Sequence, residues 1–524
     1  MNKYDLITIN DAAVWASKYT NKVVTISNIS YLIQYALIDK VINNGIAYIS
    51  QSDLKKYYDK NKRELDWKEK LGNDLNWKLS FDDLKESDTT KHVHRIHPYK
   101  GKFIPQLVEY FIDSHTDEFK KDVYFKKNDV ILDPFCGSGT TLVQANELGI
   151  NAIGIDISNF NSMISNCKVD EIDLIKLENI ICIFTNKLEN YVKNNVEFEN
   201  ELNNKLFEFN NIYFNTLDYK KKVRNKEIDP KIYGKEKEDE FLIIYNNLIK
   251  KYNIELYNNK NNDSFIYKWF IPSIVNELEY MSNLIKDIDD VKIKDILQVI
   301  LSRTMRSCRA TTHSDLGTLL KPVITTYYCR KHYKICKPLF SITKWWSKYS
   351  IDTIKRLYEF NKLRTNTHQL CISGDSRTID IFSILRDIDN DFYEFVKNKK
   401  IKGIFTSPPY IGLIDYHEQH AYAYDLFGFD RNDNYEIGAL FKGKSSNAKN
   451  EYVKDISQVL INSKKYMIND YDVFIVANDK YNLYPIIAEK SDMKIVNTFK
   501  RPVLNRVEKD KSAYSEIIFH LKEL

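Results

Sequence analysis

A short apolar run, Val130-Ile131-Leu132, leads into Asp133-Pro134-Phe135-Cys136-Gly137-Ser138-Gly139-Thr140-Thr141, and a second run, Ala152-Ile153-Gly154-Ile155, ends on Asp156. No other feature constrains the fold as strongly. Two short apolar runs around a helical stretch, Thr141 to Leu148, predict strand, helix, strand. Such a unit crosses over right-handed and needs a parallel sheet, so the fold class is α/β. Gly137 and Gly139 let the backbone turn sharply and approach a ligand. An acid closes each strand. A phosphate-binding loop would avoid that charge, and the Gly-Lys-Ser/Thr ending of a P-loop is missing. A carboxylate at the second strand's end suits ribose hydroxyls. The turn therefore fits a nucleoside without phosphate, such as S-adenosylmethionine; an ordinary tight turn with capping acids is the other reading.

The α/β pattern breaks after 170 and resumes with predicted strands near 369–372, 403–406, 472–477, 493–498 and 514–521. The interruption, 171–368, is mostly helical, Asn/Lys-rich over 185–265, and carries a basic run from Lys220 to Lys226. At the front, 1–60 predicts a helix from Ile9 to Lys18, a second from a Ser27 cap to about Tyr35, a strand at 46–49 and a third helix capped by Ser52. That order resembles a winged helix of the excisionase type, with Ser27, Asn28, Ser30 and Tyr31 near the reading end of the second helix. A small docking domain is the alternative. Residues 61–90 are polar and predict a linker.

At 524 residues, more than one domain is expected. The 28% charged residues and lack of a long apolar run argue against a membrane protein, and Met1 to Asn10 has no leader character, so the expected location is cytoplasmic. A net charge of +5 does not imply nucleic acid by itself. Seven scattered cysteines do not form a disulfide framework.

The strand Gly403-Ile404-Phe405-Thr406 runs into Ser407-Pro408-Pro409-Tyr410. Two prolines hold the backbone extended and remove two amide donors, leaving a rigid rim of acceptors where α/β sheets gather ligands. An exocyclic amine on a base is a poor nucleophile because its lone pair is delocalised into the ring. Accepting its N–H bonds through Ser407 Oγ and the Pro408 carbonyl favours the tetrahedral nitrogen needed for attack. Tyr410 can stack on the base.

Together these residues resemble the amino-methylating DNA methyltransferases. Asp133 to Thr141 matches the family's first motif and Ser407 to Tyr410 its fourth; the segment His97 to Pro105, with Lys102, Phe103 and Pro105, resembles the motif that covers the methionine end. Gly374-Asp375-Ser376-Arg377 resembles the strand end whose acid binds the adenine amino group, here Asp375 beside Ser376. The resemblance implies a Rossmann-like seven-stranded fold that binds S-adenosylmethionine through Asp133 to Thr140, Asp156 and Ile157. It implies a cofactor half at 91–170, a helical insert for target recognition at 171–368 and a catalytic half at 369–524. The motif order is similar to the family's alpha arrangement. Ser at 407 implies cytosine N4 rather than adenine N6. Double-stranded DNA is the implied partner, with a cognate restriction endonuclease or other defence proteins. Adenine N6, an RNA base amine, and a DNA-binding regulator with an idle cofactor fold remain alternatives.

Three further signals are less specific. Arg303, Arg306 and Arg309 recur every third residue on a predicted helix, to grip phosphates or to form a salt-bridged face. Asp415 and His417 follow the transfer turn and could touch the flipped base or DNA. Cys329-x2-His332-x3-Cys336, with Cys308 upstream, could supply four soft ligands to zinc, or simply be buried cysteines.

Overall fold

The computed structural model describes residues 5–20, 23–34, 37–43, 45–192, 196–258, 264–313, 319–505 and 512–524. They fall into two compact units, 1–86 with 497–519, and 87–496 with 520–524. Among them, no helix is long and apolar enough to cross a membrane.

The first unit opens with strand β1 (Leu6–Thr8), helices Ile9–Thr20 and Ile26–Gln34, strands β2 (Lys40–Asn43) and β3 (Ile46–Ser50), and helix Gln51–Leu71. β3 pairs antiparallel with both β1 and β2. Ala12, Ala13, Ala16, Ile29, Leu32, Ile49 and Leu54 form the core, so small residues let two helices approach closely. Thr25, rather than Ser27, caps the second helix: its Oγ1 accepts from the Asn28 amide (3.3 Å) while Asn28 Oδ1 accepts from the Thr25 amide (2.8 Å). The expected end at Tyr35 lies outside the described residues. Ser50, rather than Ser52, caps the third helix, accepting from the Asp53 amide at 3.1 Å. That helix runs to Leu71, so 61–71 is helix, not linker. Trp67 stacks edge-on to Trp77 at 5.9 Å, and both pack with Leu75 and Leu504. The charged surface of this stretch hid its buried tryptophans. Residues 497–519, expected in the catalytic half, group here; Arg501 Nε donates to the Leu79 carbonyl (3.1 Å).

The second unit holds a mostly parallel sheet. Its strands are β4 (Val130–Asp133), β5 (Asn151–Asp156), β8 (Gln369–Ser373), β9 (Ile401–Thr406) and β10 (Met467–Ala477), after a small hairpin of β6 (Tyr327–Cys329) and β7 (Lys334–Cys336). The spatial order is β10-β9-β4-β5-β8, all parallel. Residues of β11 (Met493–Pro502) and β12 (Ser515–Glu523) continue it beyond β10. Every residue of β4 and β5 is buried, as a sheet covered on both faces requires. The chain builds outward from β4 to β5 and β8, then returns to the other side of β4 with β9. The crevice at that reversal, over the carboxyl ends of β4 and β9, is where such sheets bind ligands.

Between β5 and β8 lie the helices of the insert, with a core of their own around Phe198, Leu202, Phe209, Phe241, Tyr245 and Phe340. Helices Val291–Cys308 and Thr343–Asn361 pack on one another, and the former also packs on Asn159–Val169, which follows β5. Part of the insert is therefore scaffold for the sheet.

Candidate active site

The turn after β4 is held open by its glycines. Gly137 and Gly139 have φ of +53° and +74°, and a Cβ on Gly139 would lie 2.9 Å from Ser165 Cβ. Helix Thr140–Glu147 starts directly behind them.

Asp133 is buried under this turn. Its Oδ2 accepts from Thr141 Oγ1 and its Oδ1 from Thr406 Oγ1, both at 2.6 Å. It thus clasps the end of β9 to the end of β4, and burial pushes its carboxyl up to about 6. Asp156 is placed differently. Its carboxylate accepts from the amides of Gly137 (2.8 Å) and Ser158 (2.9 Å) and from Asn161 Nδ2 (3.1 Å), yet it still lines a cleft. Burial raises it to about 6 as well.

That cleft has a volume of about 860 Å³, its open mouth included. One wall is the first turn, with Pro134, Phe135, Cys136, Gly137, Ser138 and Thr140, followed by Asp156 and Ile157. A second wall is Lys102 and Phe103 with Tyr99, and a third is Asp375 and Ser376 with Gly374. Ser407 and Pro409 close it from the β9 side. Two stretches far apart in sequence therefore share one cavity. Asp133 and Gly139 lie beneath it; Pro105, which opens helix Pro105–Ile112, Pro408 and Tyr410 are likewise not in its lining.

Ser407 Oγ donates to the Val476 carbonyl of β10 at 3.0 Å. Its proton is thereby spoken for, and its lone pairs are left as acceptors. The Pro409 carbonyl accepts from Tyr452 Oη (2.9 Å), which is itself 3.0 Å from Tyr484 Oη, so buried hydroxyls brace the loop. Ser376 Oγ donates to the Pro134 carbonyl (2.6 Å) and the Gly374 amide to the Asp156 carbonyl (2.9 Å), tying β8 to the turn. Asp375 is gripped by Arg377, whose Nη2 lies 2.7 Å from its Oδ2. Lys102 Nζ donates to the His94 carbonyl at 2.6 Å, and burial pushes it down to about 8.

Sequence reasoning missed Tyr99, Tyr416, Tyr435, Glu436 and Ile437, which also line the cleft. Tyr99 stacks on Tyr416 at 6.0 Å and lies inside the His97 to Pro105 segment, so a signal existed for it. The 435–437 segment carries none.

Other expected residues are placed elsewhere. His417 is buried, its backbone amide donating to Glu436 (2.7 Å) and its Nδ1 paired with the same carboxylate, so it cannot meet DNA. Asp415 precedes the helical turn Tyr416–Gln419 and accepts from the Phe441 amide (3.1 Å). Arg303 is buried and bonded to Asp352 (2.6 Å) and Thr353 (2.9 Å), which removes it from phosphate binding. Arg309 is half-buried, its guanidinium 6.0 Å from the Tyr422 ring, and Arg306 is half-buried. Ser27, Asn28 and Tyr31 are exposed on their helix. Of the four expected soft ligands, Cys329, His332 and Cys336 converge, whereas Cys308 ends the helix Val291–Cys308 outside the group; His313 takes the fourth place.

A family model described as DNA methylase matches residues 2–166. The type II methyltransferase M.MjaII of Methanocaldococcus jannaschii is 49% identical over 525 residues, which covers 99% of this chain and 97% of that protein. Two further relatives match shorter stretches. The type II methyltransferase M.MvaI of Kocuria varians is 36% identical over 24% of this chain and 25% of its own, and M.BsoBI of Geobacillus stearothermophilus 43% over 14% and 13%. With its motifs gathered on one parallel sheet and a relative of this identity along nearly its whole length, the chain belongs to the amino-methylating DNA methyltransferases.

Proposed function

We propose that the cleft binds S-adenosylmethionine and that the chain methylates cytosine N4 in double-stranded DNA at a specific site. The observation that carries this reading is the shared cleft, walled by the Gly137 turn and by Ser407. Its donor set fits the cofactor. Ser138 Oγ and Asn161 Oδ1 are buried without a hydrogen-bond partner among the described residues, and both residues line the cleft. Asp156 would hold the ribose hydroxyls, Asp375 the adenine amino group, Ile157 the adenine ring, and Lys102 and Phe103 with the turn from Pro134 to Thr140 the methionine end. When bound, S-adenosylmethionine supplies a methyl group activated by its sulfonium.

The protein's own part is positioning. The target base must leave the duplex to reach the cleft. Ser407 Oγ and the Pro408 carbonyl accept the two amine N–H bonds, drawing the nitrogen lone pair out of conjugation. The rigid Pro408-Pro409 pair holds both acceptors in place, and Tyr410 stacks on the base. The sheet, split by the insert, is read as the seven-stranded Rossmann-like methyltransferase fold, with 91–170 as cofactor half, 369–496 with 520–524 as catalytic half and 171–368 contributing target recognition. The two helices and the β2–β3 hairpin of the first unit support a winged helix that reads DNA through Ser27, Asn28 and Tyr31. The type II names of the relatives support a restriction-modification or phage-defence role beside a cognate endonuclease.

The test is to incubate the protein with unmethylated DNA, RNA and cofactor labelled in its methyl group, then identify labelled nucleosides by mass spectrometry. N4-methylcytosine from DNA is the expected product. N6-methyladenine would overturn the base assignment; label in RNA alone, or binding with no transfer, would overturn the substrate assignment.

A further inference from the structure

The hairpin β6–β7 brings together side chains that the methyl-transfer site does not use. In its antiparallel register Tyr327 faces Cys336 and Cys329 faces Lys334. Opposed residues share a face, and so do residues two apart on a strand. Cys329 and Cys336 therefore point to the same side. His332 comes from the connecting turn, and His313 from the loop after helix Val291–Cys308. One ligand atom from each of the four lies within 4.8 Å of all the others. Cys329 Sγ is 3.4 Å from His332 Nδ1 and 3.7 Å from His313 Nδ1, and Cys336 Sγ is 3.9 Å from His332 Nδ1. The two imidazole centroids are 4.5 Å apart. A tetrahedral zinc ion with Zn–S near 2.3 Å and Zn–N near 2.0–2.1 Å sets its ligand atoms roughly 3.3–3.8 Å apart. The three sulfur–nitrogen distances fall in or just beyond that range.

We propose that His313, Cys329, His332 and Cys336 bind a structural Zn²⁺ ion. Two thiolates and two imidazoles in a closed tetrahedron select zinc over harder cations. Binding releases both thiol protons and forms two Zn–S and two Zn–N bonds, leaving a neutral centre that needs no counter-charge. The site has a clear structural task. A hairpin of two three-residue strands is marginal on its own. The ion fastens it to the loop that begins at Arg309, which is set against the Tyr422 ring.

Metal analysis of the full-length protein, purified under reducing conditions with no added metal, tests this. One zinc per chain is expected, with at least a tenfold loss in Cys329→Ser, Cys336→Ser and His313→Ala, and no loss in Cys308→Ser. Should the ligand variants fail to fold, the wild-type protein still decides. Exchange for Co²⁺ should give the visible bands and thiolate charge transfer of a two-sulfur tetrahedral site, and a strong chelator should lower the melting temperature. Metal-free protein with both thiols reactive, or a Cys329–Cys336 disulfide found by mass spectrometry, would overturn the proposal. So would zinc lost in Cys308→Ser and kept in His313→Ala.

Discussion

Asp156 and Arg303 are both charged, both buried, and both sit where a sequence pattern anticipates a ligand, yet they end in opposite situations. Asp156 stands at a strand end and is held mainly by backbone amides, so its carboxylate is fixed while still facing a cavity. Arg303 stands on a helix of the insert and is closed off by Asp352, Thr353 and the Tyr349 ring, which lies 4.3 Å from its guanidinium. The strand end faces the cleft because backbone geometry points it outward. The helix is scaffold because helical spacing alone says nothing about which face meets a neighbour. Arginines three apart suit a phosphate grip and a packed ion pair equally well.

Substitutions can break this contrast. The largest effect is expected at the strand ends. Ser407→Ala removes the acceptor proposed to work on the reacting nitrogen, and turnover should fall about a hundredfold or more. DNA affinity should stay within about twofold by a binding titration, because the loss lies in the chemical step. Normal turnover in this variant would separate β9 from the chemistry.

Next comes Asp156→Asn, which should weaken cofactor affinity about 10- to 100-fold by calorimetry, the scale of hydrogen bonds to a charged group. Its pH dependence sharpens the point. Burial raises the Asp156 carboxyl from 3.8 to about 6, so the folded state holds that proton more tightly than the unfolded one. Stability from this group is therefore lost as pH rises from 3.8 to about 6. Hydroxyl donors need the ionised form, so cofactor affinity should rise with pH through about 6 in the wild type. Asp156→Asn should flatten that rise. Asp133 also titrates near 6, but it bonds to Thr141 and Thr406 beneath the cleft, and Asp133→Asn should keep the rise.

The smallest effect on function should come from Arg303→Ala. It leaves Asp352 without one of its two arginine partners and should cost about 1–3 kcal/mol of stability in a denaturant melt. The salt dependence of DNA binding should not change, whereas loss of a phosphate contact would lower its slope by about one. A lowered slope with unchanged stability would make the insert helix a DNA surface after all.

How much of this was legible beforehand follows the same division. The Asp133 turn and the Ser407 tetrapeptide were readable because glycine and proline constrain the backbone locally, wherever the chain later goes; the Gly374 to Arg377 segment was readable only through its resemblance to the family's strand-end motif. Tyr99 was within reach, inside a segment already singled out. Glu436 and Tyr435 were not, since nothing nearby in sequence marks them and only the folding of the 410–440 loops brings them to the cleft. His313 in place of Cys308 is a similar case. Residue type favoured a cysteine, but that residue ends a helix and lies outside the group of four.

From residues alone came the strand-turn-helix-strand unit, the parallel sheet it demands, and the two motifs that make this chain a methyltransferase, because apolar period, glycine and proline act over a few residues. Tertiary structure alone decided that Asp133 clasps the two motifs together while Asp156 faces the cleft, that His417 and Arg303 are sealed inside, and that the stretch expected to be a linker packs its tryptophans. Each of these depends on which distant group arrives to satisfy a charge or cover an apolar ring, and no local pattern carries that information.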